Sequence, residues 1–298
     1  MTTTSNGPHN NGNRPPSWSQ SWTHFGVDRR SLGYCRVTFN HPPINTITAT
    51  TVAELAELIG LIEQDSDLNV VVFDSANPDF YLAHYDTEND PGKTAALGLG
   101  PTGLSAWNDI LVRLARAPLV SIAAIRGRAR GAGSEFVLAC DLRFASREHT
   151  LLGQWEVGIG VVPAGGPMAR LSRLVGRGRA LEILLVADDL DGPRAERYGY
   201  VNRLIADDHL EDEIETITDR LARFDHDAIA RTKSYVDLTT LPNNNELTPP
   251  VNDFRELFER PLQQAQWTRL QQLGLNTDSD LERSLGQRLI DSHPDQHP

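Results

Sequence analysis

The feature that most constrains the fold of this chain is the alternation of short, β-branched apolar runs with segments of helical periodicity. The run over residues 69–73 is rich in valine and too short for a buried helix, so it predicts a strand covered on both faces. A second run, over 119–125, follows a helical pattern over 104–115. Strands that alternate with helices pair in parallel, so the sequence predicts an α/β fold.

Other segments show the periodicity of single elements. Residues 34–39 alternate as a half-buried strand does, and residues 48–64 place apolar side chains three and four positions apart, as on one face of a helix. Beyond about Asp207 only helical patterns remain, which predicts a helical C-terminal section. The predicted helices there, interrupted by a break at 242–245, are 210–221, 225–236 and 254–273.

Composition narrows the classes of function. The 298 residues include 28 Lys or Arg and 40 Asp or Glu, giving a net charge of −12 that argues against nucleic acid as a partner. No apolar run approaches the roughly 18 residues of a membrane span, and the polar N-terminal stretch predicts a cytoplasmic protein. The two cysteines, Cys35 and Cys140, lie in apolar segments, which excludes a disulfide framework or a Cys-ligated zinc site.

The segment most informative about chemistry is 127–141, where a strand pattern runs into small residues and then into a helix predicted from Gly133. Backbone N–H groups at such a turn lack partners and can bind negative charge, as in an oxyanion hole. A tight turn whose glycines only allow close packing is the other interpretation. The segment lacks the Gly-Lys-Ser/Thr of a phosphate-binding loop, and Ser134 has no Gly-x-Ser-x-Gly context, which disfavours a serine hydrolase.

Two acidic residues are candidates for acid and base chemistry. Glu135 lies at the start of the predicted helix, where the helix dipole alone would favour a carboxylate. Glu156 lies in an apolar, glycine-flanked loop, where burial would raise its pKa, although an acid in a loop is often simply solvated. If the two carboxylates face one another, their repulsion would keep one of them protonated. The protonated residue could then act as the general acid and the other as the general base.

The order of these motifs resembles the crotonase, or enoyl-CoA hydratase/isomerase, superfamily. The matching motifs are a strand, a glycine-rich turn ending in Glu, Ala-Cys-Asp, Gly-Gln-x-Glu, and a segment rich in Gly and Pro. In this chain they are residues 122–124, 131–135, 139–141, 153–156 and 163–166.

The resemblance implies a spiral of repeated ββα units over residues 21–206, which would carry the catalytic site. It also implies a C-terminal helical trimerisation section over residues 207–298. Residues 1–20, polar and rich in Asn, Gly and Pro, are predicted to be a disordered tail. The expected assembly is a homotrimer or a dimer of trimers.

The family binds acyl-CoA thioesters, so the resemblance implies an acyl-CoA substrate with no separate cofactor. The scattered histidines argue against a metal site. By similarity, the backbone N–H groups of Tyr85 and Ala132 would form the oxyanion hole, and Glu135 and Glu156 would be the catalytic pair of an enoyl-CoA hydratase. An enoyl-CoA isomerase, a non-catalytic acyl-CoA-binding subunit and a hydrolase remain alternatives. The residues expected to contact the substrate are Ala83, His84, Asp86, Gly131, Trp155 and Gly158.

Two positions depart from the family pattern. His84 stands where glycine is usual, so a positive φ is expected there, and we expect the imidazole to fill space rather than add a polar group. Trp155 occupies a place usually held by a smaller residue. Residues 87–103 are predicted to form a mobile flap, which would line the pocket together with Trp107 and Trp155.

Several apolar side chains of the C-terminal section are candidates for a subunit interface, with core placement as the alternative. They are Phe254, Leu257, Phe258, Leu262 and Trp267.

Overall fold

The computed structural model describes residues 17–86, 91–290 and 293. Its strands are β1 (Phe25–Arg29), β2 (Tyr34–Phe39), β3 (Val70–Ser75), β4 (Phe80–Leu82), β5 (Val120–Ile125), β6 (Arg128–Arg130), β7 (Leu142–Ser146), β8 (Leu151–Gly153), β9 (Leu190–Asp191) and β10 (Arg203–Ile205).

The helices up to the start of the C-terminal section are α1 (Ala49–Gln64), α2 (Pro91–Ala96), α3 (Ala106–Arg116), α4 (Ala132–Ala139), α5 (Pro167–Val175), α6 (Arg177–Val186) and α7 (Gly192–Tyr198). Those of the C-terminal section are α8 (Leu210–Leu221), α9 (His226–Thr240), α10 (Asn244–Phe258), α11 (Pro261–Gln272), α12 (Asp280–Arg283) and α13 (Leu285–Arg288).

The strands form two sheets with the orders β1-β2-β3-β5-β7-β10 and β4-β6-β8-β9. All neighbours are parallel except β1 with β2 and β8 with β9. Strands β3, β5 and β7 each enter the larger sheet, the strand after each enters the smaller one, and a helix follows. This arrangement confirms the predicted α/β fold of repeated ββα units.

The main core lies between the larger sheet and helices α1, α3 and α4. Phe136 of α4 packs edge-on against Phe39 and Phe73, with ring centroids 5.4 and 5.0 Å apart. On the other face of this sheet, Leu210 and Ile214 of α8 pack in a second buried cluster with side chains of β2, β3, β5 and β7. The prediction that β3 is covered on both faces is therefore confirmed.

The prediction that β2 is half-buried is wrong, because α8 covers the face expected to meet solvent. Arg36 on that face is only 6% exposed. Its guanidinium donates to Asp74 Oδ2 at 2.7 Å and to Glu211 Oε2 at 2.7 Å. These two carboxylates satisfy a charge that the strand pattern alone would place in water.

Two further features differ from expectation. Strand β1 was not predicted, and it adds an antiparallel edge to the larger sheet. The predicted helix over 254–273 is two helices, because Pro261 cannot donate a helical hydrogen bond and begins α11 instead. Helix α10 already begins at Asn244, within the predicted break.

The candidate interface residues divide between core and surface. Trp267 is buried, and Phe254, Leu257 and Phe258 pack against the same C-terminal cluster, whereas Leu262 is 52% exposed. For those four residues core placement within one chain is therefore observed.

Parts of the predicted tail and flap lie outside the described residues, namely 1–16 and 87–90. The Arg29 guanidinium lies 4.9 Å from the centroid of the Trp18 ring, and residues 91–96 of the predicted flap form α2.

Both cysteines are buried and unpaired. No helix within the described part of the chain is long and apolar enough to cross a membrane.

Candidate active site

The predicted site residues follow three neighbouring strands of the smaller sheet. Because β4, β6 and β8 are parallel, the segments that follow them leave the sheet at one edge. The backbone N–H of Arg130 donates to the Ala83 carbonyl at 3.1 Å, and that of Gly131 donates to the Gly153 carbonyl at 3.0 Å. The structure thus brings together the loop after β4, the start of α4 and the turn that contains Glu156.

The backbone N–H of Ala132 is free of helical hydrogen bonding because Ala132 is the first residue of α4. The carbonyl of the peptide between Gly131 and Ala132 accepts from the Glu135 N–H at 2.9 Å. In a trans peptide the N–H points away from the carbonyl, so the Ala132 N–H points out of the helix N-terminus. It is therefore available to a ligand.

Gly131 permits the sharp entry into α4. Its φ of +49° and ψ of −122° lie in a region that glycine tolerates and other residues rarely adopt. A Cβ at this position would lie 2.7 Å from both Trp155 Nε1 and Glu156 Oε1. Gly131 is therefore a direct neighbour of two predicted site side chains.

The backbone N–H of Tyr85 is oriented by the strand-like pairing of its loop with Ile47. The Ile47 N–H donates to the His84 carbonyl at 2.9 Å, and the Asp86 N–H donates to the Ile47 carbonyl at 2.8 Å. The Tyr85 N–H, in the same peptide as the His84 carbonyl, therefore points away from Ile47. Within the described residues it has no acceptor, so it too is available to a ligand.

Glu135 is buried in α4 and receives two hydrogen bonds. The Trp107 indole donates to Oε2 at 2.9 Å, and the backbone N–H of Gly165 donates to Oε1 at 2.6 Å. Burial raises the pKa of Glu135, while the two donors and the Arg170 charge oppose that rise. The donors therefore favour the carboxylate form of this acid within an apolar setting.

Glu156 begins a short 3₁₀ turn, Glu156–Ile159, and is 8% exposed. Its Oε2 is buried with no hydrogen-bond partner in the described structure. Burial and the negative charge of Glu135 raise the pKa of Glu156 to about 8. The two acids therefore interact electrostatically, and their repulsion favours the protonated form of Glu156 near neutral pH.

Trp155 packs against the C-terminal helices rather than standing free. Its ring stacks on Trp267 with centroids 6.0 Å apart, and it lies 5.2 Å from the His84 ring. Gly158 also faces these helices, since a Cβ there would lie 2.6 Å from Leu289 Cδ1. The predicted contact of Gly158 with the substrate stays a prediction.

His84 differs from both expectations about it. Its φ is not positive, and its ring is buried with Nε2 2.7 Å from Glu282 Oε1. The imidazole therefore makes a polar contact instead of only filling space. Sequence reasoning missed Glu282, because a Glu in a short, charged C-terminal helix carries no local sign of burial.

The remaining predicted contacts build the loop after β4. Ala83 and Asp86 are both buried, and the Asp86 carboxylate accepts from Asn276 Nδ2 at 3.2 Å. Among the residues that the structure describes, no group of three or more His, Cys, Asp or Glu side chains is placed to hold a metal ion.

A cleft of about 860 Å³ lies away from these acids, between α9 and the C-terminal end of α4. Its lining includes Leu138, Cys140, Lys233 and Val236, but neither Glu135 nor Glu156. The cleft is therefore separate from the carboxyl edge of the smaller sheet.

The two sheets of ββα units define a crotonase-type fold, and comparison with known proteins agrees. The family model for enoyl-CoA hydratase/isomerase matches residues 29–267. The chain therefore belongs to the enoyl-CoA hydratase/isomerase family.

Individual relatives give the same picture. The short-chain-enoyl-CoA hydratase of Clostridium acetobutylicum is 32% identical over 188 residues, which are 62% of this chain and 70% of the relative. A Streptomyces avermitilis structure, provisionally described as an enoyl-CoA hydratase, matches with a TM-score of 0.87 and 39% identity, covering 92% of this chain and 99% of that chain. DspI of Pseudomonas aeruginosa matches with a TM-score of 0.68 and 27% identity, and the match covers 82% of this chain and 99% of the DspI chain.

Proposed function

We propose that this protein is an enoyl-CoA hydratase, which adds water across the double bond of a 2-enoyl-CoA thioester. The observation that carries the proposal is the pair of buried acids, Glu135 and Glu156, which interact electrostatically but differ in their hydrogen bonds. When two acids differ in proton affinity, one can act as the general base and the other as the general acid. The hydratase names of the relatives support the same reaction.

The thioester oxygen is proposed to accept hydrogen bonds from the N–H groups of Tyr85 and Ala132. Both groups lack an acceptor within the described chain. They lie in the segments that follow the adjacent parallel strands β4 and β6, at the same edge of the smaller sheet. Such donors stabilise the negative charge that develops on a carbonyl oxygen, and losing one typically costs roughly 3 kcal/mol of transition-state stabilisation. Gly131 and Trp155, which adjoin Glu156, are the proposed substrate neighbours.

The proton steps follow from the two environments. The Glu135 carboxylate takes a proton from water as the water oxygen forms a bond to C3, and the electron pair of the double bond moves toward the thioester to give an enolate. Protonated Glu156 then gives its proton to C2, and the enolate returns to a thioester. A proton passing from Glu135 to Glu156 through solvent restores the starting state.

The test is a panel of 2-enoyl-CoA thioesters of different chain length, followed by loss of the conjugated-thioester absorbance. Because each acid carries one proton step, Glu135→Gln and Glu156→Gln should each lower kcat by about 10²- to 10⁴-fold. The exposed Glu256, whose side chain is 74% accessible, supplies the control variant Glu256→Gln, which should keep full activity.

Other outcomes would replace the proposal. An isomerase would shift the double bond without adding water and would need only one of the two acids. Saturable thioester binding with no turnover at any chain length would indicate a binding subunit, and release of free thiol would indicate a thioester hydrolase. The proposal also includes a cytoplasmic location and assembly as a homotrimer or a dimer of trimers.

A further inference from the structure

Glu282 of α12 is the most deeply buried acid outside the proposed catalytic pair, with 0% of its surface exposed. Its Oε1 accepts from the Asn276 backbone N–H at 2.8 Å and lies 2.7 Å from His84 Nε2. Its backbone carbonyl accepts from Arg130 Nη1 at 2.5 Å. One residue of the C-terminal section thus touches the two segments that carry the proposed oxyanion donors.

The contact through His84 reaches the first donor. His84 immediately precedes Tyr85, and its Nδ1 lies 3.3 Å from the Tyr85 carbonyl oxygen. With Ile47 binding the His84 carbonyl and the Asp86 N–H, the peptides on both sides of Tyr85 are fixed. The pairing with Ile47 sets the direction of the Tyr85 N–H, and the His84 ring adds a second contact that holds this segment against α12.

The contact through Arg130 reaches the second donor. Arg130 ends β6, two residues before Ala132, and is 1% exposed. Besides the Glu282 carbonyl, its guanidinium binds Asp189 through two hydrogen bonds of 2.7 Å. The guanidinium therefore fastens the end of β6 to α12 and to the segment before β9.

Electrostatic attraction supports the contact between His84 and Glu282. Both ring nitrogens of His84 face acceptors, a carboxylate and a carbonyl, an arrangement that favours the doubly protonated, cationic ring. Burial alone would lower the pKa of His84, but the Glu282 carboxylate raises it above its ordinary value. The positive charge of Arg130 acts in the opposite direction and lowers the pKa of His84.

We propose that Glu282 is a positioning residue: its carboxylate, through His84, holds the loop after β4 so that the Tyr85 N–H faces the thioester oxygen, while its backbone carbonyl binds Arg130 at the end of β6. The inference rests on the proposed function for the identity of that oxygen. Completion of the hole then requires the C-terminal section to be docked on its own chain.

The test compares wild type with Glu282→Gln, which keeps the size of the side chain and removes its charge. Because an oxyanion hole acts mainly on the developing enolate, kcat should fall by about 10- to 100-fold with little change in KM. The carbonyl stretch of bound butyryl-CoA, a saturated thioester that cannot be hydrated, should move from its polarised value toward that of the free thioester. Arg283→Gln is the matched control, since it removes only surface ion pairs of the same helix.

A double variant, His84→Gln with Glu282→Gln, keeps a neutral hydrogen-bonded pair and leaves no unpaired buried charge. The double variant should recover part of the lost kcat and of the carbonyl shift. If Glu282→Gln does not fold, the double variant is compared with wild type in its place. Wild-type kcat and carbonyl shift in Glu282→Gln, or no recovery in the double variant, would overturn the proposal. A wild-type protein that shifts the butyryl-CoA carbonyl but hydrates no enoyl-CoA would overturn the hydratase function alone.

Discussion

The backbone N–H of Gly165 donates to Oε1 of Glu135 across 2.6 Å, and no comparable donor reaches Oε2 of Glu156 in the described structure. A Cβ on residue 165 would lie 2.0 Å from Glu135 Oε2, so glycine lets the backbone approach the acid. Two carboxyls that are both buried thereby differ in their hydrogen bonds, and the negative charge of Glu135 adds to burial in raising the pKa of Glu156.

The first prediction concerns the pH dependence of hydration. Glu156 has a pKa of about 8 and acts as the acid in the proposed reaction, so activity should hold below that pH and fall above it. Glu156→Gln should have low activity without this alkaline decline. The profile of kcat against pH, measured from pH 6 to 10, checks the prediction, and an unchanged decline in the variant would assign it to another group.

The second prediction concerns stability. Because the pKa of Glu156 is raised from its usual 4.5 to about 8, the folded state binds more protons than the unfolded state between those values. The contribution of this group to stability is therefore present at low pH and is lost as pH rises toward 8. Glu156→Gln should gain Tm relative to wild type between pH 5 and 8, whereas a constant Tm difference would contradict the shift.

The third prediction concerns Trp107→Phe, which keeps an aromatic ring but removes the donor to Glu135 Oε2. The carboxylate should be less stabilised, so its pKa should rise, the acidic limb of the pH profile should move to higher pH, and kcat at neutral pH should fall roughly tenfold. Trp22→Phe is the control, because the buried Trp22 Nε1 has no hydrogen-bond partner in the described structure. Equal effects of the two substitutions would show that the indole donor is unimportant.

The fourth prediction compares two glycines. Gly131→Ala should lower the free energy of unfolding by about 1–3 kcal/mol and reduce kcat, because a Cβ at φ +49° meets Trp155 and Glu156 at 2.7 Å. Gly178 lies within α6 with no atom within 4 Å of a Cβ, so Gly178→Ala should add about 0.5–1 kcal/mol. Denaturant unfolding measures both, and a harmless Gly131→Ala would refute the argument from geometry.

The fifth prediction concerns assembly. A homotrimer should have a mass near 99 kDa, three times the 33.0 kDa of one chain, and a dimer of trimers should have twice that mass. Light scattering coupled to size-exclusion chromatography measures the mass directly. A mass of 33 kDa at micromolar concentration would exclude both assemblies.

The sequence predicted best those features of the structure that depend on residues close together in the chain. Helix α1 begins after its Thr48 cap and ends at Gln64, because its apolar period and its cap are local. The burial of Arg36 was not predicted, because the carboxylate of Glu211 that binds it lies in α8, far along the chain. The α10–α11 boundary was missed although Pro261 marks it in the sequence.

The sequence by itself determined the alternation of elements, the parallel sheets and the candidate acids Glu135 and Glu156, because periodicity and motif order are properties of neighbouring residues. Only the tertiary structure decided that these acids are buried together and that His84 meets Glu282, 198 positions later. Burial and charge pairing depend on which distant segments pack together, and that packing sets the proton affinities of the acids and holds the segment that carries the Tyr85 N–H.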